Sequence, residues 1–186
     1  GEKVQLTSWK SPSDPSIGSF SAGISHQSLT QTFIWKDGRP YFRFGPWNGQ
    51  EFIGIPAVPI FHHKFSVIQI PDGTTYLTSS FLFHSSHIVL TTQGNTEARY
   101  WDSEKKVWED EWIAMLSACD VYGTCGAFGS CNSMSSPICS CLEGFEPKNT
   151  EEWNRQNWTS GCERRTPLQC GTVTTRSEAD KMDEFL

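Results

Sequence analysis

The chain has 186 residues, a net charge of −6 and 37% hydrophobic residues. That length allows one large domain or two small ones, and no apolar run approaches the ~18 residues of a membrane-spanning helix. The charged residues are mixed rather than blocked, as in Glu104-Lys105-Lys106 and Glu109-Asp110-Glu111. This pattern reads as a solvated face around a hairpin and argues against a nucleic-acid partner, which would call for clustered Lys and Arg.

Thirteen per cent aromatic residues and 15 glycines predict short strands joined by many turns. The sequence opens at Gly1 without a Met or a signal peptide, so preceding sequence is expected to have been removed. A Ser11-Pro12-Ser13-Asp14-Pro15 turn cluster is followed by a strand over Gly18 to Ser25. Strands over Thr32 to Lys36 and Tyr41 to Gly45 flank Asp37-Gly38, a dipeptide suited to the positive backbone angles of a tight hairpin. A second hairpin pairs Lys64 to Ile70 with Thr74 to Phe83 around Asp72-Gly73. Strands over Ile88 to Thr92, Glu97 to Asp102 and Val107 to Trp112 follow, with turns at Gln93-Gly94-Asn95 and around Ser103. Helix signals are nearly absent. Roughly eight to ten short strands at this spacing predict an all-β sandwich, barrel or prism over residues 1–112. Trp9, Trp35, Trp47, Trp101, Trp108 and Trp112 read as core side chains rather than as a sugar platform.

Residues 113–165 differ in character, with Cys, Gly, Ser and Asn replacing apolar alternation. Residues 166–186 are polar and aperiodic, as expected of a linker. All seven cysteines fall between positions 119 and 170, which indicates a disulfide module made in an oxidising compartment. The odd number leaves one thiol without a partner inside the chain. Zinc would need paired Cys-x2-4-Cys sets with a His partner; Cys139-Ser140-Cys141 is too short, and no His lies beyond position 87.

Cys139-Ser140-Cys141-Leu142-Glu143-Gly144-Phe145 resembles the signature of an EGF-like module. Six cysteines allow fifteen connectivities; the EGF pattern implies Cys119–Cys131, Cys125–Cys139 and Cys141–Cys162. A module of about 45 residues buries too little surface to fold by packing alone, and each bridge is worth ~2–5 kcal/mol. Met115-Leu116-Ser117-Ala118, just before the first cysteine, offers none of the acidic ligands of calcium-binding EGF modules, so no calcium is expected.

The wider motif set resembles the ectodomain of plant S-locus glycoproteins and G-type lectin S-receptor-like serine/threonine kinases. Leu6-Thr7-Ser8-Trp9-Lys10-Ser11 with Asp14-Pro15 resembles the opening of the family's second lectin-like domain. Arg43-Phe44-Gly45-Pro46-Trp47-Asn48-Gly49 is similar to its SGPWNG box, with Phe where Ser is usual. Cys119-Asp120-Val121-Tyr122-Gly123-Thr124-Cys125, Trp153-Asn154-Arg155 and Trp158-Thr159-Ser160-Gly161-Cys162 continue the likeness. The resemblance implies a β-prism lectin-like domain over 1–112, an EGF-like module over 113–165, and the start of a PAN/apple module within 166–186. Cys170 would then pair with a cysteine of that module beyond this chain. Asn157-Trp158-Thr159 is the single N-x-[ST] sequon and predicts a glycosylated Asn157.

Monocot mannose-binding prisms use a Q-x-D-x-N-x-V-x-Y strand. In the nearest stretch here Asn95 alone matches, while Thr91, Gln93, Glu97 and Arg99 occupy the other four positions. An enzyme is not expected, because no nucleophile elbow, metal box or phosphate loop is present. His62-His63 with His84-x-x-His87 read as surface histidines rather than metal ligands, so neither metal nor cofactor is expected.

The leading expectation is an extracellular or cell-surface ligand-recognition fragment, used in pollen self-recognition or in defence and stress perception. Its partner would be a protein or peptide, such as a small cysteine-rich protein, with homodimerisation of the full ectodomain. Any kinase or membrane segment would belong to a longer parent. The alternative is a secreted lectin-like glycoprotein that binds carbohydrate. Candidate ligand contacts are Phe52, Ile53, Ile55, Phe61, His62, His84 and His87, although the apolar segment Glu51 to Phe61 is read first as packing on the end of the domain.

Overall fold

The computed structural model describes residues 4–25, 29–54, 63–81 and 85–167. The chain forms two compact units, Gly1–Tyr122 and Gly123–Leu186. Described strands of the first are β1 (Leu6–Ser11), β2 (Asp14–Ser25), β3 (Gln31–Lys36), β4 (Arg39–Phe44), β5 (His63–Gln69), β6 (Thr75–Phe81), β7 (Ser86–Leu90), β8 (Thr96–Asp102) and β9 (Val107–Ile113). They make three separate antiparallel sheets, ordered β1-β2-β3-β4, β5-β6 and β7-β8-β9. The expected all-β, lectin-like architecture is borne out.

Turn chemistry sets the hairpins. Asp37 and Gly38 both take positive φ (48° and 76°) between β3 and β4, the geometry whose twist matches the flanking strands. Between β5 and β6, Pro71 supplies its fixed φ after Ile70, and the Gly73 N–H donates to the Ile70 carbonyl at 3.0 Å. The Asp72 carboxylate closes that turn by accepting the Thr74 N–H at 2.8 Å.

β1 is the strand that apolar alternation does not reveal. Its inward position is Ser8, 1% exposed, whose hydroxyl accepts the Phe20 N–H at 3.3 Å, while its large residue Trp9 is 53% exposed. A serine at the buried position removes the hydrophobic signal on which the alternation rule depends.

Each sheet contributes to one core. Ile34 of β3 and Ala98 of β8 are fully buried, with Phe42, Phe44, Phe52, Leu90 and Trp112 around them, and Val67 and Leu77 pack on from the two-stranded ribbon. Phe42 meets Phe44 edge-on at 4.9 Å, and Phe44 stacks with Trp112 at 6.2 Å. Of the tryptophans expected in the core, Trp112 is buried and Trp47 packs against the cluster. Trp9 and Trp108 are corrections: their register points them outward, and both are about half exposed.

The first unit also runs about ten residues past the boundary expected at 112. Ala114, 2% exposed, donates its N–H to the Thr96 carbonyl at 2.9 Å, and Tyr122 donates to the Tyr41 carbonyl at 2.8 Å.

The second unit contains β10 (Gly129–Cys131) paired with β11 (Cys139–Cys141), β12 (Phe145–Pro147) paired with β13 (Cys162–Arg164), and a short helix α1 (Thr150–Asn154). Asn149 caps α1, its side-chain oxygen accepting the Glu152 N–H at 3.1 Å. Gly126 and Gly161 touch backbone to backbone: a Cβ on Gly126 would sit 2.5 Å from the Gly161 Cα, and both have positive φ. No larger residue fits either position.

Ile34→Ala is expected to cost about 3 kcal/mol in a urea titration, as for other buried truncations. Ile17→Ala, at a position 79% exposed on β2, should stay within about 0.5 kcal/mol.

Candidate functional site

The segment after β4 is a tight, self-bonded turn. Gly45 N–H donates to the Ile53 carbonyl, Ile53 N–H to the Pro46 carbonyl, and the Asn48 side-chain oxygen accepts from both Gln50 and Glu51 N–H at 2.9 Å. Glycine is required at 45 because a Cβ there would lie 2.4 Å from the Ile53 carbonyl oxygen. Trp47 and Phe52 pair across the turn with rings 5.0 Å apart. Phe52 was expected as a ligand contact, and the structure corrects this: at 2% exposure, against Phe44 and Phe65, it belongs to the core. Its neighbour Ile53 is 55% exposed and keeps an available surface. Ile55, Phe61, His62 and His84 lie outside the described residues, as does Cys170.

His87, the remaining candidate contact, lies on β7 and is half-buried. Its ring meets Trp108 of β9 at 4.2 Å, and Trp108 meets Trp101 of β8 at 5.6 Å, both edge-to-face. Beside them the Arg99 guanidinium pairs with Glu97 at 2.6 Å and with Asp110 at 2.8 Å. Sequence reading did not single out Trp101 and Trp108 as a surface. The signal available was that their register partners each other across β8 and β9.

Asn95, the one position shared with the mannose motif, has a structural task. Its amide donates to the Met115 carbonyl and accepts the Met115 N–H, both at 3.0 Å, in the manner of a strand pair. Both of its polar atoms are used in holding the chain that leaves β9.

At the β8–β9 turn, the Lys105 ammonium bonds Glu109 at 2.6 Å and lies 3.5 Å from Asp102, while the Tyr100 hydroxyl donates to Glu109 at 2.6 Å. The bond from Lys105, and then that from Tyr100, hold Glu109 below its ordinary carboxylate value. The same bond to Glu109 raises the Tyr100 phenol, and Glu109 likewise raises Lys105.

In the second unit Cys125 is bonded to Cys139 and Cys141 to Cys162, and Cys131 is disulfide-bonded, as is Cys119 of the first unit. The sulfurs of Cys125, Cys131 and Cys139 lie within 4.8 Å of one another, but sulfurs committed to disulfides are not thiolate ligands. Asn157 is exposed, and its side-chain oxygen accepts the Thr159 hydroxyl at 2.8 Å. An open groove of about 430 Å³ lies along β11 and β12, walled by Phe145 and Trp153 with Arg165 at its rim.

The S-locus glycoprotein domain family matches residues 42–149, from within β4 to the cap of α1. The chain belongs to that family. A G-type lectin S-receptor-like serine/threonine-protein kinase of Arabidopsis thaliana is 39% identical over 100% of this chain and 23% of its own length. A second kinase of that name class from the same plant is 44% identical over 99% of this chain, and again over 23% of the relative. A third is 41% identical over 99% of the chain. The chain therefore spans 23% of the length of such S-locus-domain relatives, and the resemblance read from the GPWNG box and the cysteine region is borne out.

Two outcomes follow from the polar contacts of this S-locus domain. Asn95→Ala should cost about 1–3 kcal/mol, because it leaves the Met115 peptide unpaired, as read by chemical denaturation. For the β8–β9 turn, the lowered Glu109 contributes stability that is complete above its ordinary value of 4.5 and is lost as pH falls through its lowered value. The raised Tyr100 contributes stability that is complete below 10.0 and is lost as pH rises through its raised value. Amide protection in β8 and β9, taken relative to the free-peptide exchange rate at each pH, should thus be greatest between those limits, and Glu109→Gln should flatten the acid side.

Proposed function

We propose that the chain is an extracellular ligand-recognition segment of an S-domain receptor-like kinase, acting as a binding module rather than as an enzyme. The observation that carries this reading is the full-length alignment to receptor-like kinases at about 40% identity, confined to 23% of each relative. Catalysis then belongs to a kinase region elsewhere in the parent, and this segment supplies the surface presented to the outside. A disulfide-bonded second unit suits an oxidising compartment. The exposed Asn157, with its sequon threonine already hydrogen-bonded to it, suits passage through the glycosylating pathway.

The ligand is a protein or peptide, such as a small cysteine-rich protein, and the setting is pollen self-recognition or defence and stress perception. The EGF-like module serves as a braced spacer, and Cys170 bonds within a following PAN module. The carbohydrate alternative loses support because Asn95, the one shared sugar-motif residue, spends both polar atoms on Met115.

The test is a segment swap. Placed in the matching region of an Arabidopsis S-receptor-like kinase, this chain should reach the cell surface and change which extracellular extracts trigger autophosphorylation. An unchanged response spectrum would falsify the recognition role. In the same cells Asn157→Gln should remove one enzyme-cleavable glycan, seen as a faster-migrating band; identical migration would mean that the sequon is unused.

A further inference from the structure

The outward face of the β7–β9 sheet carries aromatic residues on the side away from the core. The core is closed from the other side of these strands by Ala98 and Trp112, leaving Trp108 47% exposed and Trp101 half-buried. Exposed tryptophan on a regular strand is costly for solubility and is enriched where partners bind. The edge-to-face contacts among His87, Trp108 and Trp101 fix the rings in place, so little side-chain freedom would be lost on binding.

Charge selects the kind of partner. Residues 97–111 hold six carboxylates against three cationic side chains, a net of −3 within a chain whose total is −6. Of these carboxylates, Glu97 and Asp110 share the outward face with Trp101 and Trp108. Arg99, the cation on this face, is already held between Glu97 and Asp110. Indole faces beside carboxylates attract a guanidinium or ammonium through the ring quadrupole and through charge together.

We infer that this face, centred on Trp108 and Trp101, docks a basic polypeptide by taking an Arg or Lys side chain against the indoles. The inference rests on the recognition role proposed above and assigns it a surface and a partner chemistry.

The experiment is calorimetric titration of the whole 186-residue chain with hexa-arginine amide, with hexaglutamate and a mannose oligosaccharide as comparisons. Saturable binding of hexa-arginine that weakens with salt is expected. Trp108→Ala should weaken it about fivefold, the worth of one cation–π contact, and Trp108→Phe less. Ile17→Ala, at another exposed apolar position of the unit, should leave it unchanged. If Trp108→Ala does not fold by near-ultraviolet circular dichroism, Glu104→Lys on the exposed hairpin should give a comparable drop. No saturable binding overturns the proposal, as does binding indifferent to both Trp108 and Glu104. A preference for the mannose oligosaccharide lost in Trp108→Ala overturns it in favour of a sugar platform. A failed titration beside a segment swap that still changes the receptor's response would remove this surface and leave the recognition role standing.

Discussion

The first unit depends on side-chain packing between sheets that, among the described residues, share no backbone ladder. Backbone ladders hold β1 to β4, β5 with β6, and β7 to β9 internally, and the shared cluster joins the three. Phe42 and Phe44 from one sheet, Trp112 and Ala98 from another, and Val67 and Leu77 from the ribbon make that joint. Aromatic rings suit the task because each spans the distance between sheets and buries a large area. The Trp47–Phe52 pair after β4 adds to the same cluster.

Polar bonds then define the edges of what the core has joined. The Asn95 amide gives the departing chain a strand-like partner without a strand, and carries the first unit beyond the end of β9. Ser8 does comparable work on β1, where a hydroxyl substitutes for an apolar anchor. The Lys105–Glu109–Tyr100 group stiffens the turn that supports Trp108. In this domain the conformation of the candidate surface is therefore set by residues that do not themselves form it.

The hairpins were legible because their turns have local causes. Asp37-Gly38 and Asp72-Gly73 announce themselves by residue type, and the strands beside them alternate. β1 was not legible, since its only buried side chain is a serine. The short helix α1 had a readable cap, Asn149 followed three residues later by Glu152, but five residues give no periodicity to accompany it. At the candidate site, Phe52 and Ile53 look alike in sequence and differ only in which way the turn points them. The same holds for tryptophan: nothing local separates Trp112 in the core from Trp108 outside it, because a bulge between Ala98 and Arg99 resets the pairing of β8 with β9. Asn95 stood out as part of a sugar motif, whereas its true partner is twenty residues away.

Cys139 and Cys141 stand two residues apart on β11 and so share one face of that strand. During synthesis Cys125 meets both of these cysteines before Cys162 has emerged, and they differ in position by only two residues. Joining Cys125 to Cys141 would slide β11 against β10 and lose the pairing of Cys131 with Cys139 and of Gly129 with Cys141. It would also leave Cys139, rather than Cys141, to meet Cys162. The fit of Gly126 against Gly161 exists only when the later segment has arrived in its proper place. Together with the Cys141–Cys162 bond and the Cys162 N–H to Ala127 carbonyl hydrogen bond, that contact ties the last described strand of the unit to its first loop.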